Sequence, residues 1–109
     1  MSMSVYEYQL KARRTQNAML SPFARKMHAL HGMASEVGEI HGIFQKQYQG
    51  HNVDRDALID EMGDLMWFVA ELSDVIGITL EEVCERNIEK LKKRYPEGFS
   101  EDRSVNRHE

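Results

Sequence analysis

Residues 35–44 read SEVGEIHGIF, and this stretch decides how the surrounding sequence folds. If it is helical, Glu36 and Glu39 share one side with Ile40 and Ile43, because residues three and four apart are neighbours on a helix surface. A bare carboxylate is expensive to bury among apolar side chains. The stretch therefore predicts a helix whose apolar side carries two acidic residues for a reason other than packing.

The residues on either side of this stretch predict three further helices separated by short turns. Capping residues, prolines and glycines place the four expected helices at about residues 5–18, 22–48, 55–76 and 80–95. No segment shows the sustained alternation that is typical of strands, so the fold is expected to be all-α. We expect a helical domain over residues 1–99 and a loose polar tail over residues 100–109.

The length and charge of the chain narrow the classes of function. A chain of 109 residues buries a modest core, and helical proteins of this size often complete it by oligomerising. The net charge of −4 argues against a broad surface for nucleic-acid polymers, and no apolar run is long enough to span a membrane. A single cysteine, Cys84, excludes an internal disulfide and a Cys-rich zinc site. We expect a soluble, cytoplasmic protein.

The third expected helix repeats the acidic arrangement in the segment DALIDEMGDLMWFVAELSDVI, residues 56–76. Glu61 projects among apolar residues at helical spacing, and Asp64 follows one turn later at the edge of the apolar sector. Asp60, Glu71 and Asp74 lie on the other side and are expected to form the solvated face. Either acidic pair alone is more often an ordinary wet surface feature, but two pairs on consecutive antiparallel helices point to a shared purpose.

Four carboxylates that face one another across two helices repel strongly unless cations lie between them. The pattern predicts such a cation site from Glu36, Glu39, Glu61 and Asp64. Ligation by carboxylate oxygens alone favours Mg²⁺ or Mn²⁺ over zinc. A magnesium site of this kind keeps positions for water or for substrate phosphate. The residues alone thus predict a Mg²⁺-dependent, phosphate-handling site inside a helical bundle.

Residues elsewhere in the sequence are candidates for contacts with the substrate. Asn87, Lys90 and Arg94 can line one side of the fourth helix and hold phosphate oxygens, although each also has an ordinary structural interpretation. Lys46, near the end of the second helix, is a further candidate for phosphate binding or a plain surface lysine. Trp67 is expected either to stack on a nucleobase or to lie buried in a subunit interface.

Three motifs together resemble those of a known family. The segments ASEVGEI, DEMGDLMWFVAEL and NIEKLKKRYPEGF, in this order and spacing, resemble the MazG-like nucleotide pyrophosphohydrolases, and in particular the small single-domain type. These enzymes belong to the all-α nucleoside triphosphate pyrophosphohydrolase superfamily. The resemblance implies a four-helix bundle completed by dimerisation. It also implies hydrolysis of a (deoxy)nucleoside triphosphate between its α and β phosphates.

The resemblance also assigns roles to individual residues. It implies that Mg²⁺ is bound by the positions that match the acidic motif of the family, namely Glu36, Glu39, Glu61 and Asp64. It implies phosphate contacts for Asn87 and Lys90. Members of the family form homodimers, or tetramers built from two dimers.

One position departs from the family pattern. The family motif usually begins with two adjacent glutamates, whereas this sequence has Ser35 before Glu36. The departure leaves open the number of metal ions and whether Glu36 or Glu39 activates the attacking water. Two alternatives to nucleoside triphosphate hydrolysis also stay open. One is phosphoribosyl-ATP pyrophosphohydrolysis, and the other is a catalytically silent helical module for interaction or metal buffering.

Overall fold

The computed structural model describes residues 2–106, and the regular structure of this range is helical. Its elements are α1 (Val5–Ala12), a 3₁₀ turn (Arg13–Thr15), α2 (Pro22–Gln47), α3 (Arg55–Ile76), α4 (Leu80–Arg94) and α5 (Glu101–Val105). The prediction of an all-α fold is confirmed for the described part of the chain. The expected count of four helices is not, because five α-helices are present there.

Side-chain caps begin the helices close to the predicted positions. Ser4 Oγ accepts a hydrogen bond from the Glu7 backbone N–H at 3.0 Å, and the Glu7 carboxylate accepts one from the Ser4 backbone N–H. Asp54 caps α3 by accepting from a backbone N–H at 3.1 Å. The helix ends at Gly77, whose φ of 77° lies in the left-handed region that favours glycine. Local capping chemistry therefore marks both bounds of α3.

The first helix is shorter than the sequence predicts, because side chains capture its last carbonyl. It ends at Ala12, where residues up to 18 were expected to be helical. The Ala12 carbonyl accepts hydrogen bonds from Thr15 at 3.1 Å and from the Trp67 indole N–H at 3.2 Å. These bonds satisfy a carbonyl at the helix end and turn the chain into the 3₁₀ turn.

The expectation of a loose tail after residue 99 is wrong for part of that segment. Ser100 caps α5 by accepting from the Arg103 backbone N–H. The Arg103 guanidinium donates to the backbone carbonyls of Lys93, at 2.9 Å, and Arg94. It thereby satisfies carbonyls that the end of α4 leaves without helical partners. Residues 107–109 of the predicted tail lie outside the described residues.

Helices α2 and α3 form the central antiparallel pair. His28, near the start of α2, contacts Glu71 near the end of α3, and Glu36 further along α2 contacts Glu61 near the start of α3. Between them Gly32 lies against Phe68, so closely that a Cβ added to the glycine would be 2.2 Å from the ring. The glycine therefore allows the two backbones to approach.

The described chain leaves much apolar surface uncovered. Its accessible surface is 8494 Å², where a compact monomer of this mass exposes about 6,200 Å². Its radius of gyration is 17.2 Å, where about 13 Å is typical of this length. Every residue from 81 to 93 is exposed, so α4 packs mainly through Leu80, which is 2% exposed. Among residues 2–106, no helix is long and apolar enough to cross a bilayer.

Candidate metal centre

The antiparallel pairing of α2 and α3 brings three of the four predicted acidic ligands together. Glu36, Glu61 and Asp64 each contribute one carboxylate oxygen to a group in which all three atoms lie within 4.8 Å of one another. Glu61 and Asp64 are one turn apart on α3 and therefore face Glu36 of α2 from the same side. Glu36 and Glu61 are half-buried, whereas Asp64 is exposed. The group thus opens to solvent on the Asp64 side.

The electrostatics of this group show the cost of holding it without a cation. A hydrogen bond with Glu61, burial, and the charges of Glu61, Asp64 and Glu39 together raise the pKa of Glu36 to about 7. One oxygen of Glu36 is buried and has no hydrogen-bond partner. An unsatisfied buried acceptor is unfavourable. A divalent cation would supply that partner and offset the repulsion.

The arrangement fits a hard divalent cation. With Mg–O bonds of about 2.1 Å, neighbouring oxygens of an octahedral site lie about 3 Å apart and opposite oxygens about 4.2 Å apart. The 4.8 Å limit on the three oxygens is compatible with this geometry after small side-chain rotations. All three donors are carboxylates, which suits Mg²⁺ or Mn²⁺ and does not suit zinc.

The remaining candidates on α2 lie further from this group. Glu39 is exposed one turn beyond Glu36, and its carboxylate is not one of the three grouped oxygens. Its charge nevertheless contributes to the raised pKa of Glu36, so it lies near the centre. Lys46 is exposed in the last turn of α2, about 15 Å from Glu36 along the helix axis.

The candidates on α4 are not packed against the carboxylates in a single chain. Asn87 and Lys90 lie in the helix segment whose residues are all exposed. Arg94 is half-buried at the end of α4, where its carbonyl accepts from the Arg103 guanidinium. The structure therefore brings together three of the four predicted metal ligands but does not bring these phosphate-binding candidates to them within one chain.

Trp67 is anchored between the N-terminal segment and α2. Its indole N–H donates to Thr15 Oγ1 at 2.8 Å as well as to the Ala12 carbonyl. Its ring meets those of His28 and Phe68 edge to face, with centroids 6.3 and 5.1 Å apart. These contacts account for the position of Trp67 within one chain. Its stacking on a nucleobase stays a prediction.

The expected solvated face of α3 is solvated only in part. Asp60 is exposed, as expected, but Glu71 is fully buried. One Glu71 oxygen lies 2.7 Å from Nδ1 of His28, and the other is buried without a hydrogen-bond partner. The prediction for Glu71 is wrong because α2 covers this side of α3 and supplies a polar partner.

The prediction for Asp74 is also wrong, because the N-terminal segment covers it. Asp74 accepts hydrogen bonds from Gln9, Arg13 and Gln16 at 2.9, 2.8 and 2.7 Å. Burial raises the pKa of Asp74, but these three donors outweigh burial and hold it below its ordinary value. Gln9, only 2% exposed, also accepts from the Leu80 backbone N–H at 2.7 Å. We name Gln9, Arg13, Gln16 and Asp74 the N-terminal clamp.

Tyr8 is a neighbour of the metal centre that sequence reasoning missed. Burial and the charge of Asp64 raise the pKa of its hydroxyl, which places α1 beside the acidic group. Tyr8 also packs against the core cluster formed by Ala12, Ala70 and Leu80. The i to i+4 spacing of Tyr8 and Ala12 on α1 was the available signal for a buried face.

Comparison with known proteins adds four findings. The family model described as "MazG nucleotide pyrophosphohydrolase domain" matches residues 25–99. The chain is 33% identical over 81 residues to "Gene 37 protein" of Mycobacterium phage L5, an alignment that covers 70% of this chain and 71% of the phage protein. It is 44% identical over 41 residues to "Uncharacterized protein YvdC" of Bacillus subtilis strain 168, covering 38% of this chain and 39% of YvdC. No solved structure matches the chain.

Proposed function

Because the chain belongs to the MazG nucleotide pyrophosphohydrolase domain family, we propose that it hydrolyses a nucleoside triphosphate in the cytoplasm. The bond broken is the anhydride between the α and β phosphates, and the products are the monophosphate and pyrophosphate. One observation carries the proposal. Three carboxylate oxygens converge within 4.8 Å, and one oxygen of Glu36 is buried without a partner. This is the environment that a magnesium-bound phosphate would complete.

The proposal divides the acidic residues by role. Glu36, Glu61 and Asp64 would hold Mg²⁺, which neutralises charge on the phosphate oxygens when it is bound. Glu39 is exposed and stands outside the grouped oxygens. Its carboxylate is thus available to accept a proton from the attacking water, whereas Glu36 is half-buried and contributes one oxygen to the group. We therefore favour Glu39 over Glu36 as the general base.

The proposal includes a homodimer in which one chain completes the site of the other. The accessible surface exceeds that of a compact monomer by about 2,300 Å² per chain, so a dimer covering it would bury about 4,600 Å², within the range of obligate interfaces. The apolar side chains available for such an interface are more than two-fifths exposed and include Val37, Phe44, Ile59, Met62, Met66 and Ile88. In this arrangement α4 of the second chain brings Asn87 and Lys90 to the substrate phosphates. Two such dimers can pair into a tetramer.

A matched pair of variants tests the metal centre. Glu61→Gln removes one grouped carboxylate, whereas Asp60→Asn changes an exposed acid at the adjacent position of the same helix. We expect Glu61→Gln to lose Mg²⁺-dependent pyrophosphate release and Asp60→Asn to keep it, with both variants remaining helical by circular dichroism. Full activity in Glu61→Gln would refute the assignment of the metal centre to these carboxylates.

A substrate panel separates this function from the two alternatives. The pure protein is incubated with Mg²⁺ and a set of ribo- and deoxyribonucleoside triphosphates and phosphoribosyl-ATP, and pyrophosphate is assayed. Release from nucleoside triphosphates supports the proposal, and release from phosphoribosyl-ATP alone supports the first alternative. No release from any member, together with retained Mg²⁺ binding, supports a silent module.

A further inference from the structure

A cavity of about 330 Å³ lies at the end of the α2–α3 pair away from the metal centre. Its lining residues are Arg13, Gln16, Ala18, Arg25 and Asp74. Arg25 is eleven residues before Glu36 on α2, which separates it from the metal centre by about 16 Å along the helix axis. The volume is at the lower end of the range for small-molecule sites.

The sequence around this cavity is basic in an otherwise acidic chain. Residues 8–35 contain five lysines and arginines and no aspartate or glutamate, although the whole chain has 18 acidic and 14 basic residues. Two of these arginines and one aspartate line the cavity, so its lining carries a formal charge of +1. Residues 8–35 therefore carry a net positive charge, which attracts anions.

Arg25 carries a charge that nothing in the described chain neutralises directly. Its guanidinium donates to the side-chain oxygen of Gln16, and its Nε is buried without a hydrogen-bond partner. No carboxylate oxygen among residues 2–106 lies within 4.0 Å of it. Asp74 reaches Arg25 only through Gln16, because its oxygens accept from Arg13, Gln9 and Gln16.

The position of Arg25 in α2 adds to this imbalance. The first turn of α2 contains no acidic residue, and Arg25 follows directly after it. The start of a helix carries partial positive charge, so a cation there is unfavourable and an anion is favourable. An anion beside Arg25 would offset the charge of the guanidinium and accept its hydrogen bonds.

We propose that this cavity binds a phosphate-type oxoanion through the guanidinium of Arg25, with Arg13 at its rim. The planar fork of an arginine fits two oxygens of such an anion. The cavity contains none of the metal-centre carboxylates, so this binding requires no Mg²⁺ and does not depend on the proposed function. The anion is either free phosphate or pyrophosphate, or the phosphate chain of a nucleotide.

Calorimetric titration of the full chain in the presence of EDTA tests the site. The probes are inorganic phosphate, pyrophosphate and a non-hydrolysable nucleoside triphosphate, each titrated into the wild type, Arg25→Gln and Arg55→Gln. Arg55 is an exposed arginine at the start of α3 and serves as the control. Loss of charged hydrogen bonds should weaken binding about ten- to hundredfold in Arg25→Gln, and Arg55→Gln should bind as the wild type does.

The outcomes separate the sources of the anion and decide the proposal. Stronger binding of the nucleotide than of pyrophosphate identifies a nucleotide site, and equal or weaker binding identifies a free-phosphate site. If Arg25→Gln does not fold, the wild type is followed by NMR, where pyrophosphate should shift the Nε–Hε resonance of Arg25. Absence of binding at millimolar concentrations, equal losses in both variants, or an unmoved Arg25 resonance would overturn the inference.

Discussion

Mixing two variants that are each expected to be inactive tests whether the site is shared between chains. Glu61→Gln disables the carboxylate group, and Lys90→Ala removes the ammonium on α4. If α4 of one chain serves the carboxylates of the other, each variant alone forms a dimer with two defective sites. A mixed dimer then contains one site with both defects and one site with neither.

The expected recovery follows from this arithmetic and from the exposure of α4. Because residues 81–93 are all exposed in one chain, Lys90 is free to act across an interface. Equal amounts of the two variants that exchange at random give about half mixed dimers, each with one intact site of two. The mixture should therefore recover about one quarter of the wild-type activity, whereas each variant alone should retain under about one tenth.

The assay is pyrophosphate release with Mg²⁺ after the two variants are unfolded together in urea and refolded. The same variants refolded separately and then combined report incomplete exchange, and sedimentation measures the dimer fraction in every sample. The same protocol with Glu61→Gln and Glu36→Gln, which lie in one carboxylate group, should show no recovery. Recovery absent from the first mixture while its dimers form would show that Lys90 does not act across the interface.

Three further predictions concern the fold. Gly32→Ala places a Cβ 2.2 Å from the Phe68 ring and should lower the free energy of unfolding, measured in urea, by about 1–3 kcal/mol. Gly63→Ala is the control, because its added Cβ has nothing within 4 Å, and it should not lower the free energy of unfolding in this way. Gln9→Leu should lower the free energy of unfolding by at least about 2 kcal/mol, because it leaves the buried hydrogen-bond partners of Gln9 unsatisfied. An unchanged denaturation midpoint would contradict a stabilising role for the N-terminal clamp. The pKa of Asp74 is lower in the folded protein than in the unfolded chain, so ionised Asp74 stabilises the fold above about pH 4. This contribution is lost as the pH falls through the folded-state pKa. Asp74→Asn should therefore lower the free energy of unfolding more at pH 6 than at pH 3.

Helix bounds were predictable where local chemistry sets them. Asp54 and Gly77 enclose α3 as expected, because a side-chain cap and a left-handed glycine act within a few residues. The end of α1 was not predictable, because Trp67 takes the Ala12 carbonyl across 55 residues of sequence. The residue spacing of α1 contains no information about that bond.

The acidic group was predictable because helical spacing and antiparallel pairing are enough to place it. Glu61 and Asp64 are one turn apart, and α2 brings Glu36 to them. Helical spacing could not predict whether Lys90 lies near the acidic group of its own chain. A helical pattern assigns a residue to a face of its own helix, but it does not say whether that face meets the same chain or another.

The burial of Asp74 shows that the pattern of apolar residues on a helix does not predict polar contacts with other parts of the chain. Helix α3 is covered on a second side by the N-terminal segment, and part of that contact is made by the polar N-terminal clamp, which hydropathy does not reveal. The clamp also has a consequence for the metal centre. It holds the same helix that places Tyr8 near Asp64. A clamp variant that stays folded should therefore alter Mg²⁺ binding as well as stability, because release of α1 removes the half-buried Tyr8 from beside the acidic group.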